Sequence, residues 1–175
     1  FVRAAALSAP SSNREGLLEL VLSRFQSDSP AYSSLVQSLS AMAAATEPPE
    51  STIKLLRRAT SDISEKDISW QAAMLKGFAA GFKNRRSAIS ELEENLLVKT
   101  FFEHPSLSVR QGCLQILNVS KSSHGNYLRA GFAKAIDIGL NKNLPEQDRA
   151  LAINFLALHN PEMYVYSLEK LILSN

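Results

Sequence analysis

Any reactive chemistry in this sequence has to come from three histidines, one cysteine and a few clustered acids and bases. His104, His124 and His159 stand far apart and near turn-forming residues. None forms a His-x-x-x-His or His-Glu pattern, the spacing that sets two metal ligands on one helix face, so they read as loop and cap histidines. The lone Cys113 excludes an internal disulfide and a cysteine-based metal cluster within the chain. It lies on an apolar helical stripe with nothing nearby in sequence to favour its thiolate, which makes it a small buried hydrophobe rather than a nucleophile. Glu91, Glu93 and Glu94 cluster at a helix start, where carboxylates meet the positive end of the helix dipole, and a solvated first turn accounts for them. Paired-acid catalysis would need a second acid on a facing element. On these grounds the chain is expected to have no catalytic residue, no metal site and no cofactor site, and not to be an enzyme.

The residues with spacing suited to phosphate are two basic groups, Lys54 with Arg57 and Arg58, and Lys83 with Arg85 and Arg86. Both fall near helix C-termini, where cations complement the dipole without any ligand. On that basis Arg85→Ala is expected to leave the melting temperature nearly unchanged. Trp70 opens a helix, where it either staples its unit or faces a ligand groove. Together Lys54, Arg57, Arg58, Trp70, Lys83, Arg85 and Arg86 make the candidate partner surface. Net charge adds little: 19 Lys plus Arg against 17 Asp plus Glu leave +2, too small to draw in nucleic acid or an anionic membrane from a distance. Apolar stretches are broken within about a dozen residues, short of the ~20 that a bilayer span needs.

The elements that position these residues are helical. Glycines and prolines are sparse, and no Val/Ile/Thr-rich alternating run bounded by turn residues argues for a strand. A 39-residue period links Tyr32, Gln71, Arg110 and Arg149, each in the opening turn of an apolar helix. Four residues on stand Val36, Leu75, Leu114 and Ile153; seven on, Leu39, Phe78, Leu117 and Leu156; three on, Leu35, Met74, Cys113 and Ala152. These offsets share one helical face, so a charge such as Leu114→Asp is expected to unfold the chain. Second helices are expected over about 51–60, 89–103, 126–141 and 162–173, with Leu92, Leu96, Leu128, Phe132, Leu168 and Ile172 at core spacing. Pro30, Pro105 and Pro145 open the following pairs. Gly77 and Gly81, four apart, allow a close helix approach, and Phe82, Phe101 and Phe102 can pack between layers. The chain divides into about five pairs within one domain over 1–175: 1–26, 30–60, 66–103, 105–141 and 144–175.

Val2-Arg3-Ala4-Ala5-Ala6-Leu7, Val109-Arg110-Gln111-Gly112-Cys113-Leu114 and Asp148-Arg149-Ala150-Leu151-Ala152-Ile153 resemble the opening of the inner-strip helix of HEAT repeats. Trp70-Gln71-Ala72-Ala73-Met74-Leu75 fits with Gln in place of Arg, and the Tyr32 unit matches poorly. The resemblance implies a right-handed α-α superhelix, a HEAT/ARM-like solenoid, in which Arg110 and Arg149 belong to a ladder of polar contacts. The Phe1-to-Leu7 opening is also similar to helical segments of large multidomain bacterial proteins that join a dehydrogenase-like propeller to a cytochrome c domain. It starts inside a helical pattern, as expected of a fragment of a longer chain.

A solenoid with no assembled nucleophile, base and stabiliser points to a non-catalytic scaffold for a protein partner or an adjacent domain of the same chain. The alternative is a nucleic-acid-binding module like the HEAT-like DNA glycosylases, which use a basic concave groove. It requires the basic groups, with Arg129, to share one surface.

Overall fold

The computed structural model describes residues 11–24, 29–61, 68–85, 88–120, 125–158 and 169, with the backbone alone for 11–15 and 68. Among these residues the fold is all-α, as expected. It comprises α1 (Ser11–Ser23), α2 (Pro30–Thr46), α3 (Pro49–Ala59), α4 (Ile68–Asn84), α5 (Glu91–Glu103), α6 (Leu107–Val119), α7 (Asn126–Leu140) and α8 (Glu146–Leu156), with no strand. Three of the expected second helices fall on α3, α5 and α7. The fourth, with Leu168 and Ile172, lies outside the described residues, as does the opening Val2-Arg3 segment.

Local sequence explains the helix boundaries. Pro30 and Pro49 occupy first-turn positions, where an amide would have no intrahelical acceptor anyway. The Pro48-Pro49 pair ends α2 because the residue before a proline is pushed out of helical geometry, and Glu47 adopts φ −78°, ψ 153°. α7 is entered through Gly125 at φ 66°, a left-handed conformation that side chains with a Cβ rarely tolerate.

The chain folds as two compact units, Phe1–Ser123 and His124–Asn175. In the first, α2 packs on α4 and α4 on α6, while α3 lies against α4 and α5, α5 against α6, and α1 against α2. In the second, α7 packs on α8, with the Phe132 and Phe155 rings 5.5 Å apart in its core.

The repeated stripe is buried, with one shift of phase. Three residues past the anchors, Met74, Cys113 and Ala152 are 0% exposed while Leu35 is half-buried; seven past, Leu39, Phe78, Leu117 and Leu156 are all buried. Four past, Val36 and Leu75 are buried, Leu114 is half-buried and Ile153 is exposed. A helix turns about 100° per residue, so offsets three and seven lie only about 40° apart, and offset four sits roughly 80° from their mean, at the edge of the core. A charge at Cys113 or Leu117 is therefore a harsher test of the core face than Leu114→Asp.

Three of the four anchors do the same job. Gln71 donates from Nε2 to the Ser61 carbonyl at 2.7 Å, Arg110 from Nε to the Phe101 carbonyl at 2.8 Å, and Arg149 from Nε to the Gly139 carbonyl at 3.1 Å. Each acceptor lies at or just past the end of the preceding helix, where carbonyls have no intrahelical donor. Phe101 is the clearest case, because the residue four positions on is Pro105, which has no N–H to give. Arg110→Met is expected to destabilise the chain by about 1–2 kcal/mol, with partial recovery in Arg110→Gln, since Gln71 already serves this role one unit earlier. Equal urea midpoints for wild type and the Met variant would remove this bond from the stability of the unit.

Candidate functional site

The structure gives the basic residues different fates. Lys54 and Arg57 on α3 and Lys83 near the end of α4 are exposed. Arg58 forms an ion pair with Glu19 of α1, and its guanidinium stands 5.8 Å from the centroid of the Trp70 ring. Trp70 is 4% exposed, so of its two expected roles it takes the internal one, stapling α4 to the turn of chain that carries Arg58. Arg86 lies outside the described residues.

Arg85 corrects an expectation. Its side chain is 6% exposed, its Nη1 donates to Glu93 Oε1 at 2.9 Å, and its guanidinium lies 5.2 Å from the Phe82 ring centroid. Glu93 is fully buried and Glu94 is 1% exposed, so these are not solvated first-turn acids. The Ser90 backbone and hydroxyl donate to Glu93 Oε2 at 2.7 and 2.9 Å, and the Ser90 hydroxyl accepts the Glu93 amide at 3.3 Å. This capping box turns α5 so that the carboxylate faces Arg85 and Leu92 is left 62% exposed. The core phase of α5 runs through Glu93, Leu97 and Phe101, one residue away from the expected Leu92 and Leu96 stripe. The ion pair overrides the apolar pattern because an unpaired buried carboxylate costs far more than one exposed leucine.

Cys113 is fully buried, and desolvation pushes its thiol pKa well above the usual range, away from nucleophilic use. Its reaction with an aromatic disulfide reagent is expected to follow global unfolding, with native-state labelling slower than that of free cysteine by orders of magnitude. Labelling at the free-thiol rate would displace Cys113 from the core. Among the described residues, no three His, Cys, Asp or Glu side chains gather where they could hold a metal ion, and no helix is long and apolar enough to cross a membrane.

A concave site does form where the C-terminal ends of α3 and α5 meet, a hollow of about 330 Å³. Arg57, Thr60 and Ser61 border it from α3 and the residues after it; Lys99, Glu103 and His104 border it from α5, with Leu96 and Thr100 beside them. His104 is 9% exposed, and its Nδ1 accepts the Ser106 amide at 3.0 Å, which places the ring proton on Nε2. That Nε2–H is buried and has no hydrogen-bond partner among the described residues. Thr60 Oγ1 and Ser61 Oγ donate back to the Leu56 and Arg58 carbonyls, each at 2.8 Å. Of the described residues expected to form a partner surface, only Arg57 borders this hollow. His104 takes the capping role expected of it, accepting the Ser106 amide just before α6. Compared with known proteins, the chain matches no family model, no curated protein and no solved structure.

Proposed function

We propose that this chain is a segment of a right-handed HEAT-like solenoid that serves as a non-catalytic scaffold, binding a protein partner or a neighbouring domain. The observation that carries this reading is the succession α2 on α4 on α6: helices whose anchors stand 39 residues apart pack in that order. In α4 and α6 the anchors, Gln71 and Arg110, bond the end of the preceding helix. A closed bundle gives no reason for a constant phase, whereas stacked repeats require one.

The anchored helices of the first unit also carry little charge, unlike α8 with Glu146, Asp148 and Arg149. α2 has none, α4 has Lys76 and Lys83, and α6 has only Arg110, already bonded to Phe101. On α6 the exposed row is Ser108, Gln111, Gln115 and Asn118, at helical spacing. An uncharged polar row of this kind suits the centre of a protein interface, where charged residues are depleted, better than a phosphate backbone.

The test is site-specific photo-crosslinking in the native host. Probes at Gln111 and Gln115 are expected to capture one defined protein or a distant segment of the parent chain, and probes at Glu91 or Lys99 on α5 are expected to miss it. Equal capture from both sets of positions, or none from α6, would overturn the assignment of the binding face.

A further inference from the structure

We propose that the exposed row of α4, flanked by that of α6, binds the acidic face of a partner's α-helix; this rests on the scaffold reading above and gives its partner a chemistry. The two rows face one way. On α4, Ser69, Lys76, Ala80 and Lys83 are exposed, and Ala72 and Ala79 are half-buried between them. About 100–140° round the helix from Lys76, Gly77 and Gly81 lie against the backbone of α2, and about 100° the other way Leu75 meets Gly112 of α6. Lys76 therefore stands between the two neighbouring helices, away from the buried Met74 and Phe78. On α6, Gly112 lies about 60° from Gln115, in the same rotational sense as Gly77 from Lys76. Gln115 is the residue 39 positions after Lys76, as Gln111 is after Ala72, so the repeat carries one exposed side from helix to helix.

The charge on this side has one sign. Asp and Glu make up 17 of the 175 residues, yet α2, α4 and α6 contain neither. Their cations are Lys76, Lys83 and Arg110, and Arg110 Nε is engaged by the Phe101 carbonyl. The positions three and four residues from Lys76, where an acid would form an intrahelical pair, are all alanine: Ala72, Ala73, Ala79 and Ala80. Among the described residues neither lysine forms an ion pair, so the complementary charge has to come from a partner. The spacing selects a helix. Lys76 and Lys83 stand two turns apart, about 10 Å along one side of α4. Acids seven apart on a partner helix have the same rise and share a side, whereas an extended chain covers that distance in three residues, whose first and last side chains point to opposite faces. The alanines between the lysines keep the row low, so that a second helix can lie along it at about 8–10 Å with Gln111 and Gln115 on its polar flank. A nucleic acid gains affinity by neutralising many phosphates, and two lysines supply few such contacts.

The experiment titrates the intact ¹⁵N-labelled chain with a capped, alanine-based helical peptide carrying Glu at i, i+4, i+7 and i+11, all on one face. The controls are a peptide of the same composition with its Glu dispersed round the helix, and a short oligothymidylate. Saturable shifts of the Gln111 and Gln115 side-chain amides are expected with the one-faced peptide, and about tenfold weaker binding with the dispersed one, since two pairs are lost. Lys76→Gln and Lys83→Gln, both at exposed positions, are expected to keep the melting temperature and to weaken binding by roughly threefold each. The double variant Lys76→Glu with Lys83→Glu is expected to abolish it, and in the native host to abolish capture by the Gln115 probe. Capture of the same protein by the charge-reversed chain would overturn the acidic-helix proposal and leave α6 as the binding face, whereas no capture by either chain would overturn both. Equal affinity for the dispersed peptide, tighter binding of oligothymidylate, or unchanged peptide affinity after charge reversal would also overturn it.

Discussion

Arg85→Met is expected to destabilise the first unit by about 3–5 kcal/mol, a large share of the 5–15 kcal/mol typical of a whole domain. The substitution leaves the Glu93 carboxylate, which has no solvent exposure, without its cation. Ser90 still supplies two hydrogen bonds to Oε2, but neither brings charge. Glu93→Gln is expected to be milder, because the amide can still accept from Ser90 and the Arg85 guanidinium keeps its contact with the Phe82 ring. The double variant Arg85→Met with Glu93→Gln is expected to recover most of the loss, since removing both charges also removes the cost of burying either. Urea unfolding followed by circular dichroism, read as a double-mutant cycle, measures all three. A loss below about 0.5 kcal/mol in Arg85→Met is what an exposed helix-end arginine would give, and it would place this residue back on the surface.

The second large effect concerns the crossing of α2 and α4. A methyl group built at Gly77 would stand 2.3 Å from the Gln37 carbonyl oxygen and 2.8 Å from Ser40 Cβ. At Gly81 it would stand 2.3 Å from the Ala41 carbonyl oxygen and 2.6 Å from Ala44 Cβ. Both meet backbone, which cannot rotate aside, so the helices have to separate along their contact. Replacing a helical glycine by alanine gains about 1 kcal/mol in propensity, but overpacking of this kind costs 1–3 kcal/mol or more, and contact with backbone falls at the upper end. Gly77→Ala and Gly81→Ala are each expected to lose about 2 kcal/mol net. Together they should lose less than the sum, because the first displacement relieves part of the second.

Gly112 is intermediate, since its added methyl would meet the Leu75 side chain, at 2.7 Å from Cβ. Gly16, in the middle of α1, has nothing within 4 Å, and Gly16→Ala is expected to stabilise the chain by about 0.5–1 kcal/mol. The opposite signs at Gly16 and Gly77 make the set its own control. Stabilisation by Gly77→Ala would mean that α2 and α4 do not approach at this glycine.

The same set shows how legible the molecule is from its residues. Gly77 and Gly81 announce a close approach by their spacing, but not which helix fills the gap. The anchors Gln71, Arg110 and Arg149 stand out by their period, and their bonds to the preceding helix follow from a general need of helix ends for donors. The phase of α5 is not legible in sequence, because its apolar pattern at Leu92 and Leu96 is locally reasonable while the group that decides its rotation, Arg85, sits eight residues upstream across a turn. Trp70 is ambiguous in sequence for the same reason, since its ring partner Arg58 comes from a different helix.

What the sequence by itself determined is therefore everything with a local or periodic cause. Helix content, the proline and serine helix starts, the 39-residue repeat and the burial of position seven beyond each anchor, and of position three beyond all but Tyr32, come from 3.6-residue periodicity and from backbone groups that must be satisfied within a few residues. Only the tertiary structure decided which charges are surface and which are core, and where two helix ends leave a hollow. Arg85 and Glu93 bury each other only once α4 and α5 are folded against the turn between them. The hollow exists only because α3 and α5, far apart along the chain, end side by side. The physical reason is the range of the forces involved. Hydrogen bonding and steric limits on the backbone act between near neighbours and leave a mark in sequence order, whereas desolvation and charge pairing depend on what surrounds a group in space, and packing alone sets that.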